Sequence, residues 1–291
     1  YVREADVNES DEVTRGKAER CFEQAVSDDF YKGIKSDPAM NATMEQLKAE
    51  SIRMCAVVKR QLASSEFANL ATELAFGSAD APAVEVEFDG GKFSLVGKID
   101  RVDVKDDRFI VIDYKSGSSA SKYSEKDLFL GHKMQLLVYV KAVKDLYGKR
   151  PAGFYYFNIH DNFTEIGQNK VYFYNGRTLN DLDVASAIDV NLRGGVSEVL
   201  ELKLTSKGEL YKSRNLLTDE QFDNQIEYAF ILIRNAGNLM KRGYAAVNPY
   251  KGTCDYCDYK DICYFGDVYN YDAREVKDTV GRDTIDITVK K

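Results

Sequence analysis

The sequence predicts an α/β (α+β) domain, a mixed sheet flanked by helices. This follows from amphipathic helical periodicity toward both ends, a meander of short strands between residues 84 and 112, and a helix and strand directly after it. Alternation of helical and strand-like periodicity along one chain is the pattern of helices packed on a sheet.

From Met44 to Leu62 apolar side chains recur at Met44, Leu47, Met54, Cys55, Val58 and Leu62, with Lys48, Glu50, Lys59 and Arg60 mostly opposite. That spacing predicts an amphipathic helix. Gly77 to Pro82 breaks the chain. Val84, Val86 and Phe88 then alternate with Glu85 and Glu87, Asp89-Gly90-Gly91 supplies a turn, and Phe93, Leu95 and Ile99 continue the return strand. After a turn at Lys105 to Asp107, Phe109-Ile110-Val111-Ile112 reads as a central strand buried on both faces. A helix is predicted from about Lys133 to Tyr147, and a Tyr- and Phe-rich strand from Gly153 to Ile159. Residues 160 to 215 read as an insertion with a hairpin, carrying apolar clusters such as Val199 to Leu204. A long helix from about Asp219 to Arg242 follows, with Phe222, Ile226, Phe230, Ile233 and Leu239 on one side.

A chain of 291 residues with 44% hydrophobic content can bury a substantial core. No long apolar run occurs and the first thirty residues are rich in charge, so neither a membrane span nor a secretory signal is predicted and the expected compartment is the cytoplasm. A net charge of −7 argues against holding nucleic acid by bulk charge; any such contact is local. The chain opens at Tyr1 in a charged, helix-like stretch, which reads as a fragment of something longer.

Asp113-Tyr114-Lys115 stands where the buried strand ends, and Asp100 stands at the end of the preceding strand. Adjacent antiparallel strands can bring the carboxylates together, and two such oxygen ligands with a backbone carbonyl and water suit Mg²⁺ or Mn²⁺. Lys115 shares the strand face of Asp113, where an ammonium can orient water and offset charge on a phosphate. The tripeptide alone is uninformative, since Asp103-Val-Lys105, Asp258-Tyr-Lys260 and Glu201-Leu-Lys203 match it loosely. Only Asp113 follows a hydrophobic strand, has a partner Asp, and precedes Ser116-Gly117, an exit where substrate backbone could approach. Gln135 and Tyr139, four apart on the next helix, share a face and can point at the same place.

Three of five cysteines form Cys254-x₂-Cys257-x₅-Cys263, in a turn-rich stretch between Gly252 and Gly266. The spacing is that of a metal clamp, for a [4Fe-4S] cluster or zinc. Cys55 lies on the apolar face of the first helix, as a buried structural thiol would, and Cys21 is flanked by charge. Glu73, ahead of the first predicted strand, could face the site but is read as structural, His132, just before the Gln135 helix, as a surface or cap residue, and His160 as a loop residue.

Gly97-Lys-Ile-Asp-Arg-Val-Asp103, Ile112-Asp-Tyr-Lys-Ser-Gly117 and Gln135-Leu-Leu-Val-Tyr139, in that order, resemble the motifs of the RecB-like branch of the PD-(D/E)XK nucleases. The resemblance implies that fold, metal binding by Asp100, Asp113 and the Tyr114 carbonyl, and catalysis with Lys115, Gln135 and Tyr139. Together with the cysteine triplet, the motifs are similar to the nuclease domain of B subunits of AddAB-type helicase-nucleases, from about Ser36 to Asp272. Ser65-Glu-Phe leading to Ala75-Phe-Gly77, Asn158-Ile-His-Asp161 and Asn248-Pro-Tyr add to that likeness.

The resemblance implies a Mg²⁺-dependent (or Mn²⁺-dependent) DNA exonuclease domain in double-strand-break repair, with DNA and an AddA-type subunit as partners. It also implies a [4Fe-4S] cluster on Cys254, Cys257 and Cys263 that staples the domain's ends. The family's fourth cysteine and metal-binding histidine are expected before Tyr1, which predicts weak iron binding and weak cleavage by this chain. The expected division is a helical remnant at 1–35, the nuclease core at 36–160, the insertion at 161–218, and the last helix with the cysteine segment at 219–291. Another iron-sulfur nuclease of this fold, of the CRISPR-adaptation type, and a catalytically weak DNA-guiding or docking module are the alternatives.

Overall fold

A computed structural model describes the chain apart from residues 29, 30, 32, 35, 36, 80, 117–121, 160–171, 264, 266–272, 276–280 and 291. Ser36, Gly117, His160, Asp161, Gly266 and Asp272 thus lie outside the described residues. Six strands build the central sheet: β1 (Ala68–Phe76), β4 (Gly97–Lys105), β5 (Arg108–Lys115), β6 (Arg150–Asn158), β7 (Asn175–Leu179) and β8 (Leu216–Leu217), adjacent in that order. β2 (Val84–Phe88) and β3 (Gly91–Leu95) form a separate hairpin.

The pairs β1/β4 and β4/β5 are antiparallel, β5/β6 is parallel, β6/β7 is antiparallel and β7/β8 parallel. The parallel step needs a crossover, supplied by α3 (Glu125–Phe129) and α4 (Gln135–Tyr147). On one face the sheet packs against α4 and α6 (Asp219–Lys241), through Val111, Val140, Phe154, Phe222 and Ile226. On the other face Ile110, Ile112, Tyr155 and Phe157 meet α2 (Pro38–Ala63) and α5 (Leu182–Ile188). α1 (Asp11–Ala25) lies against α2. Strands β5 and β6 are buried on both faces, which explains their continuous apolar and aromatic runs.

Helix starts follow local chemistry. Asp37 caps α2 by accepting from Ala39 and Met40 N–H at 2.9 and 3.1 Å, with Pro38 in the first turn, so this helix begins before the predicted Met44. Thr218 and Gln221 form a reciprocal capping box on α6. α4 begins at Gln135 and not at Lys133, whose φ of 53° places it outside the helix.

Three expectations need correction. Asp100, expected at the end of its strand, lies near the start of β4, which runs on to Lys105. The chain from Ala68 to Phe76 forms β1, an edge strand of the main sheet, so Glu73 lies within a strand and not ahead of the first one. The strand from Phe93 to Ile99 is also not continuous: Val96, 66% exposed, separates the hairpin from β4. Within 161–218, β7 and β8 extend the sheet, and Val196–Lys203 and Leu204–Leu210 pair as isolated antiparallel bridges.

Candidate active site

Alternation along β5 sends Phe109 and Val111 into the core beneath α4, while Ile110 and Ile112 face α2. Asp113 and Lys115 continue the α4-facing row to the strand's end, Asp113 buried and Lys115 half-buried. The β4/β5 ladder pairs Lys105 with Arg108 and runs to Arg101 with Ile112, so the next step brings Asp100 beside Asp113. There the Asp100 side chain takes over from the ladder: Tyr114 N–H donates to Asp100 Oδ2 at 2.7 Å.

Asp113 is 2% exposed. Lys115 Nζ lies 2.6 Å from Asp113 Oδ2 as an ion pair, yet that oxygen is buried without a well-aligned hydrogen bond. Burial pushes the Asp113 carboxyl above its usual range, Lys115 pulls it back, and Asp100 adds to the rise. A buried carboxylate with an unsatisfied oxygen beside a second carboxylate fits a divalent cation, which would relieve both burial and repulsion.

Lys115 Nζ also donates to Gln135 Oε1 at 2.9 Å, and Gln135 Nε2 donates to the Tyr139 hydroxyl at 2.7 Å. The lysine stands 5.3 Å from the centre of the Tyr156 ring. Tyr139 meets the edge of Phe76 at 6.0 Å, and its hydroxyl is pushed above the usual range by burial, despite Gln135, with Asp113 and Asp100 adding to the rise. Gly97 makes that approach feasible: a Cβ there would come within 2.8 Å of the Phe76 ring and 3.5 Å of Tyr139. Asp100, Asp113, Tyr114, Lys115, Gln135 and Tyr139 therefore gather at one end of β4, β5 and α4.

Glu73 stands beside this group on β1, its carboxylate turned to Lys98. It falls opposite Asp100, between the pairs Thr72–Arg101 and Leu74–Ile99, has a left-handed φ of 56°, and forms an ion pair with Lys98. Ile99 and Val102 enter the same core although three residues apart, so the alternation of β4 breaks between them, at the Asp100 position. The sequence left open that Glu73 could face the site; the pairing with β4 sets it opposite Asp100. His132 is exposed in the turn before α4.

The cysteine segment is built differently. Cys254 lies in a 3-10 turn (Thr253–Tyr256), Cys257 N–H closes that turn on Cys254 O at 3.3 Å, and Cys263 ends the short α7 (Lys260–Cys263). All five cysteines are free thiols, and Cys55, partly buried on α2, is pushed up to about 11 mainly by burial, a poor metal ligand. Among the described residues no three His, Cys, Asp or Glu side chains converge as a metal cage; the site above brings two carboxylates.

A sheet bearing this acid–acid–lysine arrangement is the mark of a nuclease class, and the chain belongs to it: the family profile of the PD-(D/E)XK nuclease superfamily matches residues 3–264. The chain is similar to the B subunit of the ATP-dependent helicase/deoxyribonuclease of Clostridium kluyveri, 30% identical over 283 residues, covering 85% of this chain and 24% of that protein. The B subunit of the same name from Alkaliphilus oremlandii is 29% identical over 284 residues, covering 87% and 25%. The chain thus spans about a quarter of the length of the curated relatives it matches.

Proposed function

We propose that this chain is the DNA-cleaving domain of a helicase-nuclease B subunit, hydrolysing phosphodiesters with Mg²⁺ or Mn²⁺ during processing of broken DNA ends. The observation that carries the reading is the buried, incompletely bonded Asp113 carboxylate linked through Lys115 and Gln135 to Tyr139. Asp100, Asp113 and the Tyr114 carbonyl would hold the cation, whose chemistry is to polarise the phosphate and lower the pKa of water. Lys115, held by Gln135, offers an ammonium to a non-bridging phosphate oxygen and offsets the charge that develops there. Tyr139 anchors the amide of Gln135, so the lysine stays aimed when Asp113 engages a cation.

The names of the relatives, B subunits of an ATP-dependent helicase/deoxyribonuclease, support a further subunit as partner and DNA as substrate; within this reading the partner is of the AddA type, the setting is repair and the compartment the cytoplasm. Among the described residues no helix is long and apolar enough to cross a membrane. Cys254, Cys257 and Cys263 would supply three thiolates to a [4Fe-4S] cluster whose fourth ligand lies elsewhere. The test is cleavage of end-labelled DNA at rising Mn²⁺: the chain cuts, Asp113→Ala does not, and cutting that survives Asp113→Ala removes the proposed site.

A further inference from the structure

Behind the carboxylates, on the α2 face of the sheet, a buried charged cluster lies among the apolar and aromatic side chains. Arg101 and Asp103, 1% and 0% exposed, face away from the site. Arg101 Nε donates to Asp103 Oδ1 at 2.9 Å and Nη2 meets Oδ2, a two-pronged pair on one strand. Asn69 Nδ2 donates to Asp103 Oδ1 at 2.9 Å and reaches the carbonyls of Ala71 and Val102 at 3.3 Å each. The β1/β4 register shifts at this place: Asn69 faces Asp103 but Ala71 faces Val102, leaving Leu70 as the extra residue of a bulge. Arg101 Nη1 also approaches the Tyr114 hydroxyl at 3.5 Å, and the Tyr114 ring meets Phe157 edge-on at 6.0 Å.

Burying an ion pair costs desolvation of both charges, and well-packed apolar residues often do as well or better for stability. A cluster of this kind is better explained by what it specifies. Strand side chains alternate with period two, so a one-residue slip of β4 would turn Asp100 away from Asp113. The guanidinium touches both halves of the site from behind: Arg101 is the chain neighbour of Asp100, and Tyr114 is the residue whose N–H binds Asp100.

We propose that Arg101, Asp103 and Asn69 are positioning residues that fix β4 in register between β1, through Asn69, and β5, through the Tyr114 hydroxyl, so that Asp100 and Asp113 meet a cation together. This rests on the reading of the site as a metal-dependent nuclease. The experiment is direct Mn²⁺ binding to the full chain by electron paramagnetic resonance, with thermal melting alongside. The double variant Arg101→Met/Asp103→Leu removes both charges and keeps the bulk. It is expected to melt cooperatively and to bind Mn²⁺ about ten- to a hundredfold more weakly, the scale of lost supporting contacts around a metal site. Tyr114→Phe, which removes one hydroxyl, should weaken binding less. A folded double variant with wild-type affinity overturns the inference alone. If that variant does not fold, Asn69→Ala decides in its place: weaker binding supports the register lock, and unchanged binding refutes it. A wild-type chain that binds Mn²⁺ no better than Asp113→Ala overturns the site reading, and the inference with it.

Discussion

Asp113 stands on a strand hydrogen-bonded to neighbours on both sides, above side chains such as Val111 and Phe154 that are 0% exposed. Cys254, Cys257 and Cys263 stand on a 3-10 turn and a short helix, with Tyr259 and Ile262 turned to solvent at 68% and 73% exposure. The first region is assembled by the protein's own core, so its donors are in place before any ligand arrives. The second has little apolar burial of its own, and a bound metal would contribute much of the free energy that orders it. If the cysteines hold a cluster as proposed, the chain carries one preorganised site and one whose order would depend on its ligand.

The largest expected contrast is chemical. Lys115→Ala should lower DNA cleavage by about 10²–10³-fold, the effect of losing one charge-stabilising donor. Cys254→Ser, in contrast, should reduce bound iron, read by absorbance and metal analysis, with Mn²⁺ affinity at the carboxylates unchanged. Should Cys254→Ser weaken that affinity as much as Asp113→Ala does, the two regions are not independent.

Stability gives the next contrast. Phe154→Ala should cost about 3–5 kcal/mol by denaturant unfolding, whereas Ile262→Ala should stay within about 0.5 kcal/mol. Gly97→Ala is expected to cost about 1–3 kcal/mol through overpacking against Phe76, and to lower cleavage because Tyr139 leans on that ring.

The smallest effect is one of sign. Burial raises the Asp113 carboxyl above its unfolded value, so in the metal-free protein stability falls as pH rises from the unfolded to the folded value. Asp113→Asn should therefore raise the melting temperature of the metal-free chain at neutral pH. That gain should vanish below the ordinary carboxylate range. A metal-free variant less stable than wild type at neutral pH would contradict the cost assigned to this buried charge.

Much of the site can be read along the chain because its signals are local. Asp113 and Lys115 end a continuous run of β-branched and aromatic residues, Asp100 sits in the strand before it, near its start and not at its end as the sequence predicts, and Gln135 and Tyr139 share a helical face. β1 escapes such reading because this edge strand mixes Leu70, Leu74 and Phe76 with Ala, Asn, Thr and Glu, is half exposed and lacks a clean apolar alternation. β7 and β8 are short and gain their burial from the sheet they extend, not from their own pattern.

Residue order determined the motif and the helix caps, since each depends on neighbours a few positions away. The fold decided that Glu73 lies opposite Asp100, that Gly97 must clear Phe76, and that Arg101 and Asp103 are buried as a pair. Burial, register and the cost of a charge are properties of neighbours distant in the chain, and they exist only once the sheet has closed around them.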